Sequence, residues 1–291
     1  MKEITVPAPA KINLALKIKG LRSDGYHEVE LIMQSISLHD RIRLRKNDGG
    51  IRLTTSDPSL PVGKKNLAYR AAEVILDYVN LPAAVDIHIE KRIPVAAGLA
   101  GGSTDAAAVL VGINKLFGLS LADEVLLELA AGLGSDVPFC LHGGTAFAYG
   151  RGEKIRQLPD IERLDLVIVN PGIPISTPWA YTQYDRSGKK SNLPVNKLLQ
   201  IIEEDKEIDW QEGWGNDLEG IVLKEYKELP LIKERLKAMG AQFVLMSGSG
   251  STFFAVVEDQ KQGEEIRDNW PDKKDFVTIA WTVKKDFPEL W

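Results

Sequence analysis

The sequence predicts an α+β chain of two domains, the first rich in β-strand and the second a split β-α-β unit of the ferredoxin-like kind. Three observations carry this expectation. The length of 291 residues exceeds what one hydrophobic core usually serves. The first fifty residues repeat apolar side chains with a period of two, the signature of strands. Beyond residue 160 the predicted elements follow in the order β-α-β-β-α-β.

In the first domain, Ile12, Leu14, Leu16 and Ile18 alternate with Lys11, Asn13, Ala15 and Lys17. This is a half-buried strand, and it sets Lys11 and Asn13 on one face. Asp24-Gly25 marks a turn, and residues 29–38 and 41–45 read as two further strands. Leu67, Ala68, Ala71, Val74, Ile75 and Tyr78 recur at helical spacing, after which Val85, Ile87 and Ile89 alternate as a strand leading to Pro94. A glycine-rich stretch then opens a helix whose stripe is Ala106, Ala107, Val109, Leu110, Ile113, Leu116 and Phe117, with Ser103 or Thr104 as the expected cap. A helix over 121–133, a bend through Pro138 and a strand over 145–149 follow. Around 150–160 the pattern dissolves into charge, glycine and proline, so the domains are expected to span 1–155 and 156–291.

In the second domain, strands are expected over 164–169, 243–246, 252–257 and 276–283, with helices over 218–239, broken at Pro230, and 263–269. Residues 178–190 read as loop. Neither solenoid repeats nor low-complexity tracts are visible.

The formal net charge of −5 argues against general binding along a nucleic-acid backbone. With 44% hydrophobic and 26% charged residues, the composition is neither that of a disordered chain nor of a fibrous one. A single cysteine, Cys140, permits no intrachain disulfide, and four scattered histidines offer no metal-ligand spacing. No secretory signal opens the chain and no stretch of about 20 apolar residues could span a bilayer. A cytoplasmic protein without membrane or nucleic-acid partners is expected. Cys140 and His142 lie among Val137, Pro138, Phe139 and Leu141, which suits a buried thiol better than a nucleophile and its base.

The stretch Pro94-Val95-Ala96-Ala97-Gly98-Leu99-Ala100-Gly101-Gly102-Ser103-Thr104 joins a strand to a helix. Small residues let its backbone curl so that successive N–H groups face one anion, and the helix start adds a partial positive charge. Phosphate is the natural occupant. Neither the Gly-Lys-Ser/Thr ending of a Walker loop nor the Gly-x-Gly-x-x-Gly spacing of dinucleotide sites is present.

With Pro9-Ala10-Lys11-Ile12-Asn13-Leu14 before it and Met246-Ser247-Gly248-Ser249-Gly250-Ser251-Thr252 after it, this loop resembles the three motifs of the galactokinase, homoserine kinase, mevalonate kinase and phosphomevalonate kinase (GHMP) superfamily. Arg22-Ser23-Asp24-Gly25-Tyr26-His27, Lys91-Arg92-Ile93-Pro94, Gly134-Ser135-Asp136-Val137-Pro138-Phe139, Asn170-Pro171-Gly172 and Ser176-Thr177-Pro178 extend the resemblance toward its cytidine-dependent branch. The match runs from about residue 7 to 257. It departs mildly at Ala97 and Ala100, where many members have glycine, and the backbone there is expected to avoid positive φ.

The resemblance implies a two-domain GHMP kinase architecture and ATP-dependent phosphorylation of the 2-hydroxyl of a cytidine-diphosphate-linked methylerythritol, a step in the non-mevalonate route to isoprenoid precursors. It makes Asp136 the base for the hydroxyl and Lys11 the adjacent cation. It carries the ATP phosphates to Gly98 through Thr104, within a nucleotide-binding stretch that begins at Pro94, and Asn66 and Lys91 to the adenosine end. Mg²⁺ is expected with the phosphates, helped by Ser103, and no protein metal cage is expected. Tyr26, His27 and Tyr181 match positions around the cytosine, and Asn13 and Thr177 positions around the methylerythritol. Two other readings stay open: another small-alcohol kinase of homoserine or mevalonate type, and an ATP-binding sensor without turnover.

Overall fold

A computed structural model describes residues 1–82 and 84–287; residue 83 and residues 288–291, the end of the expected second domain, lie outside the described residues. The first sheet is organised on two long antiparallel strands, β1 (Glu3–Leu21) and β2 (His27–Lys46), paired along nearly their whole length. β2 is one strand where the sequence reads as two. Leu38, His39 and Asp40 stay extended because β1 continues beside them, Ala8 facing Asp40 and Pro9 facing His39, and a register shift between Pro9 and Lys11 absorbs the irregularity.

β3 (Gly50–Thr55) crosses over through α1 (Leu67–Tyr78) to lie parallel to β4 (Ala84–Glu90). α2 (Gly101–Phe117), α3 (Asp123–Leu133) and α4 (Val137–His142) follow, then the hairpin of β5 (Thr145–Gly150) and β6 (Lys154–Gln157). β2 pairs with β4 through residues 41–46 and with β5 through residues 29–34. The bend expected at Pro138 is the short helix α4; a first-turn proline lacks only an N–H that would have had no helical partner. α2 packs its buried Ala106, Ala107, Val109, Leu110 and Ile113 on the sheet. It approaches so closely that a Cβ at Gly112 would stand 2.3 Å from Leu44 Cδ1.

The remaining elements are β7 (Asp165–Asn170), α5 (Thr177–Ser187), α6 (Val195–Glu203), β8 (Gly215–Asn216), α7 (Glu219–Glu225), α8 (Glu228–Ala238), β9 (Phe243–Met246), β10 (Phe253–Val257), α9 (Gln260–Asp268) and β11 (Phe276–Trp281). β8 returns to the first sheet, parallel to β1. The others form an antiparallel sheet ordered β11-β7-β10-β9, the arrangement expected of the second domain. β6 straddles the expected division at 155/156 and belongs to the first sheet.

Two local expectations change. The helix expected over 218–239 breaks at Tyr226, which is extended, while Pro230 sits harmlessly in the first turn of α8. The expected loop over 178–190 is largely α5, started by Ser176, whose hydroxyl accepts the Trp179 amide. The two sheets meet where β2 forms a bridge, Ile36 to Thr282, beside the end of β11. Among the described residues no helix is long and apolar enough to cross a membrane.

Candidate active site

Between β4 and α2 the chain curls with left-handed backbone at Ala96 (φ 54°), Gly98 (φ 77°) and Ala100 (φ 58°). Left-handed residues at alternate positions make a backbone nest, whose N–H groups converge on an anion. Ala100 therefore departs from the expectation that it would avoid positive φ, at a cost of about 1–2 kcal/mol, whereas Ala97 keeps negative φ. Ala100 is also the N-cap of α2, so the helix begins at Gly101 and neither Ser103 nor Thr104 caps it. Thr104 N–H makes the first helical bond, to Ala100 O at 2.9 Å. The amides of Gly101, Gly102 and Ser103 thus have no intrahelical acceptor and carry the positive end of the helix dipole.

Distant residues hold this curl. Leu99 O accepts the Lys11 amide at 3.1 Å, and Thr104 Oγ1 donates to Pro9 O at 2.8 Å, tying loop and helix to β1. Ser247 Oγ donates to Gly98 O at 2.9 Å from the loop between β9 and β10. A Cβ at Gly98 would lie 2.2 Å from Ser247 O, so the two glycine-rich loops touch through a residue that must be glycine.

A cavity of about 840 Å³ opens above this contact. It brings together Lys11, Asn13, Tyr26, His27, Ala96, Ala97, Gly98, Ala100, Gly101, Gly102, Ser103, Asp136, Thr177 and Tyr181. Lys11 is buried on β1 and donates from Nζ to Asn13 Oδ1 at 2.6 Å, the same-face contact that the alternation of β1 implies. Asp136 stands at the N-cap of α4 without capping it, which leaves its carboxylate to the cavity. Thr177 and Ser249 share a hydrogen bond of 2.9 Å. His27 Nε2 meets both Asp185 oxygens at 2.9 and 3.0 Å, and its ring centroid lies 4.7 Å from that of Tyr181. Burial, reinforced by Asp136 and Asp217, pushes the Tyr181 hydroxyl well above its ordinary pKa and keeps it a neutral donor.

Other expected residues stand outside the cavity lining. Asn66 caps α1, accepting from the Ala68 amide at 2.9 Å and donating to Pro61 O at 2.9 Å. Lys91 is buried behind the curl, paired with Asp40 at 2.6 Å and Asp105 at 2.8 Å. Asp40 Oδ1 also accepts the amides of Arg92 and Ile93 at the loop entrance. Burial, opposed by Lys91 and aided by Asp40, pushes the Asp105 carboxyl up to about 8, and its Oδ1 has no partner among the described residues. Leu99 and Thr104 are buried supports, and Pro94 and Val95 lead into the curl without lining the cavity. Cys140 is buried, which raises its thiol pKa, and His142 pairs with Asp123 and Asp286.

Sequence reasoning did not find Asp40, Asp105, Arg151 or Asp185. Asp185 faces the cavity one helical turn after Tyr181 on α5, a spacing that recognition of α5 would have exposed. Among the described residues no group of three His, Cys, Asp or Glu side chains forms a metal cage.

Residues 66–144 match the family model for the GHMP kinases N terminal domain, and residues 200–275 that for GHMP kinases C terminal. The chain is 41% identical over 262 residues to the 4-diphosphocytidyl-2-C-methyl-D-erythritol kinase of Acetivibrio thermocellus, covering 90% of this chain and 93% of the relative. It is 44% identical over 260 residues to the enzyme of the same name from Bacillus pumilus, covering 89% and 90%. A crystal structure of 4-(cytidine 5'-diphospho)-2C-methyl-D-erythritol kinase superposes with a TM-score of 0.80 at 35% identity, over 95% of this chain and 99% of that one. Homoserine kinase from Cytophaga hutchinsonii, at 19% identity and a TM-score of 0.74, shares the fold.

Proposed function

Since the chain belongs to the 4-diphosphocytidyl-2-C-methyl-D-erythritol kinase family of GHMP kinases, we propose that its cavity performs that family's phosphoryl transfer with the residues assigned below. The enzyme uses ATP to phosphorylate the 2-hydroxyl of 4-diphosphocytidyl-2-C-methyl-D-erythritol, in the methylerythritol phosphate route to isoprenoid precursors. One observation carries the residue assignment: the nest at residues 96–103, Lys11 and Asp136 face one cavity.

The N–H groups of Gly98 through Ser103 and the dipole of α2 bind the triphosphate. Asn66 and Lys91 shape that site from behind, as cap and buried ion-pair partner. The acceptor oxygen attacks the γ-phosphorus in line as the bond to the bridging β–γ oxygen breaks and ADP departs. Asp136, with no capping duty, accepts the hydroxyl proton. Lys11, oriented by Asn13, stabilises charge on the transferring group. The cytosine packs between Tyr26 and Tyr181 beside His27, whose ring Asp185 fixes. Asn13 and Thr177 hold the methylerythritol.

Mg²⁺ fits these residues as a companion of the phosphates: it keeps most of its water and needs few protein oxygens, and the Ser103 hydroxyl lies at the nest. It would neutralise phosphate charge. A single cysteine and the small-molecule acceptor suit a cytoplasmic enzyme.

The test is steady-state phosphorylation by purified protein. ADP should be released with the cytidine-linked alcohol and hardly at all with homoserine or mevalonate; the opposite ranking overturns the reading. Asp136→Ala should lower kcat by about 10²–10⁴-fold while ATP still binds. ATP binding without turnover on any alcohol would make the protein a sensor.

A further inference from the structure

We propose that Arg151 recognises the diphosphate of the acceptor and so sets preference for a cytidine diphosphate conjugate over a plain cytidine conjugate. The inference deepens the function proposed above and rests on it.

Arg151 lies in the tight connection between β5 and β6, between the left-handed Gly150 (φ 76°) and Gly152 (φ 100°). Its amide donates to Glu153 Oε2 at 2.6 Å, fixing the turn, and its side chain reaches the cavity wall. There the guanidinium lies over the Tyr26 ring, 4.8 Å from the centroid. Its nearest ionic neighbour is Glu153, with Nε 4.0 Å from Oε2, and among the described residues the guanidinium makes no hydrogen bond. A half-buried guanidinium with its donors unspent is suited to a bidentate anion.

The charges of the lining show which anion. Besides Arg151, the lining residues that can carry positive charge are Lys11, on Asn13, and His27, on Asp185. The ATP phosphates are met by the nest at residues 96–103, on the connection between β4 and α2. The acceptor brings a second pair of phosphates, joined to the base that Tyr26 stacks. Arg151, seated on Tyr26, is the lining cation that makes no side-chain hydrogen bond among the described residues, and it stands beside the ring that stacks the base.

The experiment compares two probes, cytidine diphosphate and cytidine, as ligands in calorimetry and as competitive inhibitors, for the parent, Arg151→Met and Arg151→Gln. Loss of a charge-assisted bond predicts at least about tenfold weaker binding of cytidine diphosphate, with cytidine changed less than about twofold. The KM for the acceptor should rise similarly while that for ATP does not, and Arg151→Lys should restore part of the loss. Equal weakening of both probes, which would mean that Arg151 only props Tyr26, overturns the proposal, as does no weakening of either. These are binding readouts, so they separate from failure of the parent to turn over the cytidine alcohol, which would instead sink the functional reading.

Discussion

Replacing Lys91 by methionine isolates the role of the ion-pair cluster behind the phosphate-binding curl. Lys91, Asp40 and Asp105 side chains are only 5%, 0% and 3% exposed, and the two bonds are 2.6 and 2.8 Å long. Lys91→Met leaves the buried carboxyls of Asp40 and Asp105 side by side without their cation. Removing one partner of such a buried pair costs about 3–5 kcal/mol, because the other charge remains without compensation. At about 2–4 °C per kcal/mol for large domains, the unfolding midpoint should fall by about 6–20 °C. Circular dichroism melts at pH 7 give the midpoint, and ATP titration run in parallel gives the site. The double variant Lys91→Met/Asp40→Asn should recover part of the loss, since it removes a stranded charge while the Asn Oδ1 can still accept the Arg92 and Ile93 amides. A single variant whose midpoint stays within about 2 °C of the parent, yet whose KM for ATP rises about tenfold, would refute this reasoning and return Lys91 to direct contact with the nucleotide.

Two further outcomes follow from the same geometry. Asp105 has a folded pKa raised above its unfolded value, so its contribution to stability is complete below about pH 4 and fades as pH rises through about 8. Asn cannot ionise, so the Asp105→Asn variant should gain on the parent between pH 5 and pH 8.5; urea midpoints that differ by the same amount at both pH values would contradict the assignment. Gly98→Ala should weaken ATP binding by about tenfold or more, because the left-handed backbone alone costs roughly 1–2 kcal/mol and the new methyl must displace the Ser247 carbonyl. Parental ATP affinity in that variant would show that the two loops can separate without consequence.

What could be read in advance was local. Alternation along β1 placed Lys11 and Asn13 together, and the apolar stripe from Leu67 to Tyr78 marked α1. The small residues from Ala96 to Gly102 announced a curl, yet not where the helix starts, because three left-handed turns deliver the chain to Gly101 ahead of the hydroxyl residues that resemble a cap. Lys91 could not be assigned from its neighbours: its partner Asp40 lies 51 residues away, on the stretch of β2 that reads as a gap between strands. α5 was hidden because it buries just Ala180 and Tyr184, too few to form a stripe. With it went Asp185, which fixes His27. Arg151 sits between two glycines where periodicity carries no information, and its meaning comes from the aromatic ring beneath it.

The clasp of Ser247 on Gly98 joins residues 149 positions apart. Half of the nucleotide cradle is therefore braced by the end of the molecule that ribosomes make last, and a nascent amino-terminal half should emerge with its anion grip slack. Recombination that exchanged one half for a distant cousin's would have to match a single hydroxyl-to-carbonyl fit, which ties the inheritance of the two halves together.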